Sequence, residues 1–311
     1  MAHVLRPFLL VGVLVLVVGA ATVSLVLAAG DAAPTAGATA QPTPLSGVAE
    51  ATPPLPRPDA RLPSTAAGLA TALEDTTLRL RNAVDAWTGD RLRQRPPPDI
   101  QLLALYHQRL IFRLVGRPQL SSTVVARLGE RVRGEVRDTL AARRALQAIP
   151  KGKAVRRPRI RTGPPQPPGL LRRHYEQAEK RFGVRWQLLA AVNFVETAFG
   201  RLRNASTADA RGPMQFIPAT WRAYGLGGDI DDPRDAIMGA ANYLRASGAP
   251  RDERRALFAY NRSTSYVRAV LLHARRIARD PRHFITLYSW QVYIRRDGRT
   301  MRITGPGLRS G

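Results

Sequence analysis

The chain has 311 residues, which is enough for two modest domains joined by linkers. It contains no cysteine, so disulfides, thiol chemistry and a cysteine-based zinc site are excluded. The five histidines are scattered, and the sequence therefore predicts no metal site and no cofactor. The formal net charge is +25, almost all from arginine. Such a charge suits nucleic acid, anionic lipid headgroups or anionic cell-wall polymer, although codon bias alone also produces an arginine excess.

The N-terminus contains an uncharged, almost wholly apolar run at residues 8–29. At about 1.5 Å per residue this run is long enough to cross a bilayer as a helix. The small residues at 27–33 also fit a signal-peptide cleavage site. Residues 1–30 are therefore predicted to be a transmembrane anchor or a signal peptide, and the length favours a single-pass anchor. Either alternative places the rest of the chain outside the cytoplasm, at the cell membrane or secreted to the cell wall, which argues against nucleic acid as a partner.

Two proline-rich segments are predicted to be linkers. Residues 31–68 hold prolines among alanine, threonine and glycine, a composition typical of a disordered linker. Residues 150–168 are rich in proline and basic residues and contain no acidic residue. The second linker is either merely solvated or in contact with anionic polymer or lipid headgroups.

Between these linkers, residues 69–149 show apolar residues at helical spacing. The second helical run ends at Gly116, and the third begins at Ser121 or Ser122 and continues as one helix to Leu146. The pattern predicts a helical hairpin or a three-helix bundle. Because no catalytic constellation occurs in it, we interpret it as an accessory domain that could bind a cell-wall or division protein.

Helical patterns continue through residues 169–287, where Asp232-Pro233 predicts one helix start. The period changes in residues 288–311, which alternate apolar and polar residues around Asp297-Gly298. A two-residue turn there predicts a β-hairpin with the opposed pairs Ile294–Met301 and Val292–Ile303. Because an isolated hairpin is marginal in water, we expect it to pack against the helical domain. The predicted fold is therefore mainly α with a C-terminal β-hairpin.

One helix of this region carries a single acidic residue. Glu196 is the only ionisable residue between Arg185 and Arg201, and it lies beside an apolar stripe formed by Leu188, Val192, Val195 and Phe199. Gly200 is expected to cap the C-terminus of the helix. Burial and the helix dipole would both raise the pKa of Glu196, as a general acid near neutral pH requires. The alternative is a glutamate on a solvated helix face.

Four motifs occur in a fixed order: FVETAFG at 194–200, Ser206, GPMQFIP at 212–218 and AYN at 259–261. Together they resemble the lytic transglycosylases of the soluble type, in a membrane-anchored, actinobacterial form. These enzymes share a lysozyme-like α-helical fold with goose-type lysozyme. The resemblance covers roughly 169–285, and it implies that residues 169–287 form the catalytic domain, with the helical bundle before it.

The resemblance also implies an activity. The family cleaves the β-1,4 bond between N-acetylmuramic acid and N-acetylglucosamine in peptidoglycan glycan strands, and the muramyl C6 hydroxyl attacks to leave a 1,6-anhydro end. Glu196 stands at the place of the single catalytic acid. Ordinary glycosidases need two carboxyl groups, so Asp209 as a second one would instead indicate a hydrolysing muramidase. A non-catalytic cell-wall-binding protein on the same fold is the further alternative.

Six positions match the substrate-binding residues of the family: Ser206, Met214, Gln215, Phe216, Tyr260 and Asn261. The resemblance places Gln215 at the acetamido groups and Met214 and Phe216 along the sugar groove, whereas without it both apolar residues would be read as core. It also places the hydroxyl of Tyr260 near Glu196. Asn261 either touches the substrate or caps the next helix.

The chain departs from the family pattern at two places. Arg262-Ser263 follows the AYN motif, where the family commonly has Ala-Gly. Thr197 stands where many members have serine. The aromatic residues Trp221, Tyr224 and Tyr243 could stack on sugars, but core packing is the better interpretation of each.

Overall fold

The computed structural model describes residues 53–87, 94–150, 160–206, 209–296 and 299–308. The predicted anchor or signal peptide at 1–30 and the first part of the linker after it lie outside these residues. No helix within the described ranges is both long and apolar enough to cross a membrane.

The described chain is mainly α-helical with one two-stranded antiparallel hairpin, as the sequence predicts. In chain order the helices are α1 Ala66–Trp87, α2 Pro98–Val115, α3 Pro118–Arg127, α4 Glu130–Gln147, α5 Pro168–Phe182, α6 Trp186–Thr197, α7 Pro218–Tyr224, α8 Pro233–Ala246, α9 Glu253–Tyr260, α10 Thr264–Arg279 and α11 Arg282–Ser289. The strands are β1 Tyr293–Arg296 and β2 Arg299–Arg302.

The prediction of one long third helix before Leu146 is wrong. The chain leaves the helical conformation at Leu128, whose backbone is extended, and α4 begins after Gly129. The Gly129 N–H donates to Glu74 Oε2 of α1 at 3.1 Å, which fixes the break by a tertiary contact. The break cannot be seen in the spacing of apolar residues. Leu128 fits the apolar stripe of a continuous helix because it is fully buried, although it is not helical. The described part of this region therefore has four helices rather than two or three.

One hydrophobic core extends from α1 to α11. Helix α4 packs along α10, and its Val132, Val136 and Leu140 are almost completely buried. Gln108 of α2 also exchanges two hydrogen bonds with the backbone of Gln291, each 2.8 Å long. The helices of 69–149 thus share packing and hydrogen bonds with those of 169–287, while their role as an accessory domain stays a prediction.

Helix α6 lies at the centre of the C-terminal helices, with α5, α8, α10 and α11 packed against it. Every residue of this helix except Gln187 is buried. A helix surrounded on all faces is apolar all round, which explains why so few polar side chains occur in its sequence.

The C-terminal hairpin has the predicted register. Ile294 opposes Met301, and the Ile303 N–H donates to the Val292 carbonyl at 2.9 Å. The hairpin is held against the helices by Tyr293, whose ring meets Phe112 of α2 edge-on at 5.1 Å, and by the fully buried Val292. The predicted turn at 297–298 lies outside the described residues.

Parts of both predicted linkers contact the folded helical region. In the first linker, the carbonyls of Pro53 and Pro58 accept hydrogen bonds from Arg79 and Arg109. In the second, Thr162 forms an antiparallel bridge with Leu202, just after α6. These contacts make the ends of the linkers part of the folded surface.

Candidate active site

The acid predicted from the sequence is buried. Glu196 occupies the last turn of α6 with 6% of its surface exposed, and the Tyr266 hydroxyl donates to its Oε1 at 2.7 Å. Burial raises the pKa of Glu196 to about 8, against a smaller lowering by the hydrogen bond from Tyr266. At pH 7 the carboxyl group is therefore mostly protonated and able to act as a general acid.

Tyr266 reaches Glu196 from the first turn of α10. The N-cap Ser263 accepts a hydrogen bond from the Tyr266 N–H at 3.2 Å, which fixes the start of this helix. Burial and the charge of Glu196 hold the pKa of Tyr266 well above its ordinary value of 10, so its hydroxyl stays a donor.

Sequence reasoning did not find Tyr266. It lies on the buried side of α10 with Val267 and Val270, and a tyrosine in such a stripe reads as core. Its separation from Glu196 in the sequence conceals the contact. The only local signal is the Ser263 cap, which places Tyr266 in the first turn of a helix directly after the AYN motif.

The C-terminal end of α6 is tied to the GPMQFIP loop. The Thr197 hydroxyl donates to the Pro213 carbonyl at 2.6 Å and accepts from the Gly200 N–H at 2.9 Å. The prediction that Gly200 caps α6 is wrong, because Ala198 is the first residue in the left-handed conformation, with φ 51°. The hydroxyl bonds of Thr197 explain why the chain turns two residues before the glycine.

The loop itself is a tight turn closed by two backbone hydrogen bonds between Arg211 and Phe216, of 2.8 and 2.9 Å. Gly212 has φ 69°, and a Cβ there would lie 1.8 Å from the Ile230 carbonyl oxygen. Only glycine fits this position. Gln215 also has a positive φ, of 51°, and its Nε2 donates to the Gly212 carbonyl at 3.1 Å.

The structure brings together three of the six predicted substrate-binding residues. Gln215, Phe216 and Tyr260 line a small recess with a cavity volume of about 10 Å³, together with Tyr243 and Thr220. The Phe216 ring meets the Tyr260 ring edge-on at 6.0 Å. This recess is where the GPMQFIP and AYN motifs meet.

Met214 is placed differently from the expectation, since its side chain is fully buried in the core. Its carbonyl oxygen accepts a hydrogen bond from the Tyr260 hydroxyl at 2.6 Å. The Tyr260 hydroxyl is therefore used to hold the loop, and the hydrogen bond to Glu196 comes from Tyr266 instead. Burial, and after it the charge of Glu196, raise the pKa of Tyr260 well above its ordinary value.

Ser206 and Asn261 both have structural contacts. The Ser206 Oγ accepts from the Ala210 N–H at 3.0 Å, within the loop that precedes the GPMQFIP motif. Asn261 is buried at the C-cap of α9, where its N–H donates to the Leu257 carbonyl at 2.9 Å. Ser206 therefore lies in the loop before the GPMQFIP motif, and Asn261 lies at the end of the AYN motif.

Within the described ranges, burial and the hydrogen bond from Tyr266 are the causes that shift the pKa of Glu196, and no second carboxyl group contributes. Asp209 is exposed, and Arg211 donates to both of its carboxylate oxygens at 3.0 and 2.9 Å. Among the described acidic residues, the other buried one is Glu135, which is ion-paired with Arg81 at 2.6 Å between α1 and α4. The described part of the chain therefore presents a single neutral carboxyl group with one phenol donor at this site.

Comparisons with known proteins agree with this site. Residues 173–280 match the family described as the transglycosylase SLT domain. The chain is 35% identical over 74 residues to the membrane-bound lytic murein transglycosylase F of Thiobacillus denitrificans, an alignment that covers 24% of this chain and 15% of that relative. No solved structure matches the chain. The region around Glu196, residues 173–280, is therefore similar in sequence to the transglycosylase SLT domain.

Proposed function

We propose that the protein is a peptidoglycan lytic transglycosylase that cleaves the β-1,4 bond between N-acetylmuramic acid and N-acetylglucosamine. The observation that carries this proposal is the isolated, buried carboxyl group of Glu196, with its pKa raised to about 8 by burial. A hydrolase with two catalytic carboxyl groups would need a second one within about 10 Å. The exposed Asp209, which is paired with Arg211, is a poor candidate for that role.

In the proposed mechanism, neutral Glu196 donates its proton to the glycosidic oxygen as the bond from that oxygen to the muramyl C1 breaks. The C6 hydroxyl of the same sugar then bonds to C1, and its proton returns to the Glu196 carboxylate. The products are a free hydroxyl on N-acetylglucosamine and a 1,6-anhydro end. Water is not consumed, and Glu196 ends the cycle protonated.

Tyr266 has a supporting role in this proposal. Its hydrogen bond to Oε1 is strongest when Glu196 is ionised, so it stabilises the carboxylate that forms after the first proton transfer. With Oε1 occupied, Oε2 is the oxygen that exchanges the proton with the substrate.

The sugar-binding wall is proposed to consist of the six residues predicted from the family. Gln215, Phe216 and Tyr260 are largely buried and would form the floor of this wall beneath the substrate. Met214 would act through its backbone, because its side chain is in the core. Ser206 and Asn261 would complete the wall from the adjoining loops.

We also propose that the enzyme works in the cell envelope, anchored by residues 8–29 or secreted to the cell wall. The similarity to a relative named as membrane-bound supports this location. The net charge of +25 suits a target that carries peptide carboxylates and anionic wall polymers.

The test is product analysis by mass spectrometry after the full chain is incubated with purified peptidoglycan. We expect anhydro-muropeptides, which are lighter by one water than hydrolysed products. Glu196→Gln should lower the rate by about a hundredfold or more, as expected for loss of a general acid. Glu176→Gln, at a surface pair with Arg172, is the matched control and should keep the activity.

Other products would change the conclusion. Reducing muramyl ends would indicate a muramidase. Binding of peptidoglycan without cleavage by either protein would indicate a non-catalytic wall-binding protein and contradict the enzymatic proposal.

A further inference from the structure

A large cavity lies between the C-terminal tail and the second linker. We call it the Arg201 cavity, and its volume is about 620 Å³. Five parts of the chain form its walls: the start of α2, the second linker, the residue after α6, the end of α11 and the C-terminal tail. The lining residues are Arg95, Pro96, Gln101, Thr162, Gly163, Pro164, Pro165, Arg201, Tyr288, Ser289, Gln291, Ile303, Thr304, Gly305 and Leu308. A cavity of this size matches the range of about 300–1,000 Å³ in which proteins bind small ligands.

The charge in this cavity has one sign. Arg95 and Arg201 line it, and no acidic residue lines it among those that the structure describes. Burial lowers the pKa of Arg201 to about 10, with a further lowering by Arg95. Among the described residues, Arg201 Nη1 is buried and has no hydrogen-bond partner. Such a cation is stabilised by a bound anion.

Tyr288 and Gly163 fix the side chain and the backbone of Arg201, and Ser289 adds a hydroxyl group to the cavity wall. The guanidinium stacks over the Tyr288 ring at 5.1 Å, and the Arg201 carbonyl accepts from the Gly163 N–H at 3.0 Å. Ser289 also lines the cavity, is 1% exposed, and its Oγ has no hydrogen-bond partner within the described part of the chain. A guanidinium fixed in this way is suited to carboxylate recognition.

The rest of the lining is largely apolar or uncharged. Pro96, Pro164, Pro165, Ile303 and Leu308 contribute hydrocarbon surface to the same cavity. A ligand that satisfies both features has an anionic end and small apolar groups beside it. A short peptide with a free carboxylate has this composition.

We propose that the Arg201 cavity binds the free carboxylate end of a short peptide, with Arg201 and Arg95 on the carboxylate and the proline and aliphatic side chains against the peptide. This proposal rests on the proposed function for the origin of the peptide, because peptidoglycan carries peptides on its glycan strands. Binding itself does not depend on cleavage. The site would hold the peptide of a strand while the glycan lies at Glu196.

The test is isothermal titration calorimetry of the full chain with N-acetyl-trialanine, its C-terminal amide and inorganic phosphate. We expect the acid to bind about tenfold or more tightly than the amide, the lower end of the effect of a charge-assisted hydrogen bond. Arg95→Gln and Arg201→Gln should each weaken binding of the acid by a similar factor. Arg127→Gln, an exposed arginine outside the cavity, is the matched control and should leave the affinity unchanged.

Arg95 is exposed, so its substitution tests the cavity even where Arg201→Gln alters folding. Equal affinity for acid and amide, or an unchanged affinity in Arg95→Gln, would overturn the proposal. Phosphate that binds more tightly than the peptide acid would also overturn it and assign a simple anion site. Glu196→Gln should bind the peptide like the wild type, which separates failure of this proposal from failure of the proposed activity.

Discussion

Glu196 owes its high proton affinity to burial in α6, and not to repulsion by a neighbouring carboxylate. The cost of ionising a carboxyl group in an apolar surrounding keeps it neutral at a pH where a surface glutamate is charged. Tyr266 opposes this effect in part, since its hydroxyl stabilises the ionised form. The balance between these two residues sets the pH range in which the acid can donate a proton.

Removing the Tyr266 hydroxyl should therefore move the alkaline limb of the activity profile. In Tyr266→Phe the pKa of Glu196 rises further, because the hydrogen bond that lowers it is lost. We expect the limb near pH 8 to shift upward and kcat to fall about tenfold or more. Measured rates of anhydro-muropeptide release between pH 5 and 10 would show both changes.

Tyr260→Phe is the matched control for this experiment. It removes a hydroxyl that donates to the Met214 carbonyl and leaves the hydrogen bond on Glu196 in place. Its alkaline limb should stay where it is in the wild type. A shift in Tyr260→Phe with none in Tyr266→Phe would contradict the assignment of the two phenols.

Burial of Glu196 should also cost stability as the pH rises. Its folded pKa of about 8 lies above the ordinary 4.5, so the unfolded chain gives up this proton first. The cost is absent below pH 4.5, grows between pH 4.5 and 8, and reaches on the order of 3–5 kcal/mol above that range. Glu196→Gln should thus be stabilising at pH 8 and nearly neutral at pH 4.5.

Urea unfolding of the wild type and Glu196→Gln at both pH values measures this difference. A gain in the free energy of unfolding that is the same at pH 4.5 and pH 8 would show that Glu196 is not held protonated by the fold.

Glu196, Tyr266 and Met214 show how much of the site can be predicted from the sequence. Glu196 was identifiable because it is the lone ionisable group of an apolar helix. The Tyr266 contact was not, because a tyrosine on the buried face of α10 has the same local pattern whether or not its hydroxyl meets a carboxyl group. Likewise, Met214 lies in a groove motif, but only the three-dimensional packing shows that its side chain is buried.

At the scale of whole helices, the packing of α4 against α10 connects the N-terminal helices to the site around Glu196. Helix α10 carries Tyr266 at one end and packs along α4, where Arg276 of α10 lies 3.9 Å from a carboxylate oxygen of Asp138. Glu135 on α4 adds an ion pair with Arg81 and a contact with His283 Nδ1 at 3.2 Å. Burial alone would raise the pKa of Glu135, but His283 and the nearby cations hold it well below its ordinary value.

Leu140→Ala tests the packing of α4 into the common core. Loss of a fully buried leucine should lower the free energy of unfolding by about 2–5 kcal/mol. Arg131→Ala, at an exposed position of the same helix, should change it by less than about 0.5 kcal/mol. Denaturant unfolding of the two variants measures both values, and equal effects would argue against a shared core.

Element boundaries were predictable where a local signal exists. Asp232 was expected to start a helix, and its Oδ1 accepts from the Arg234 and Asp235 N–H groups at 2.8 and 3.0 Å. The register of the hairpin follows from its alternation and turn length. The break before α4 was missed because Glu74 of α1 fixes it from a distance in the sequence.

The described chain holds together as one packed unit. The basic linker at 150–168 has the composition of a domain boundary, yet the helices on its two sides share one core. Long-range pairs such as Gln108 with Gln291 and Arg282 with Asp85, at 2.7 Å, join them. The composition of a linker indicates whether the linker is flexible. It does not indicate whether the helices on its two sides pack against each other. Activity should therefore be measured on the full chain.

The most direct test of the account is digestion of peptidoglycan by the full chain in heavy-oxygen water. If the muramyl C6 hydroxyl is the nucleophile, the new muramyl ends contain no heavy oxygen, and their mass is that of the anhydro form. Incorporation of one heavy oxygen atom at each new end would show that water attacks, and it would contradict the single-carboxyl transglycosylase mechanism.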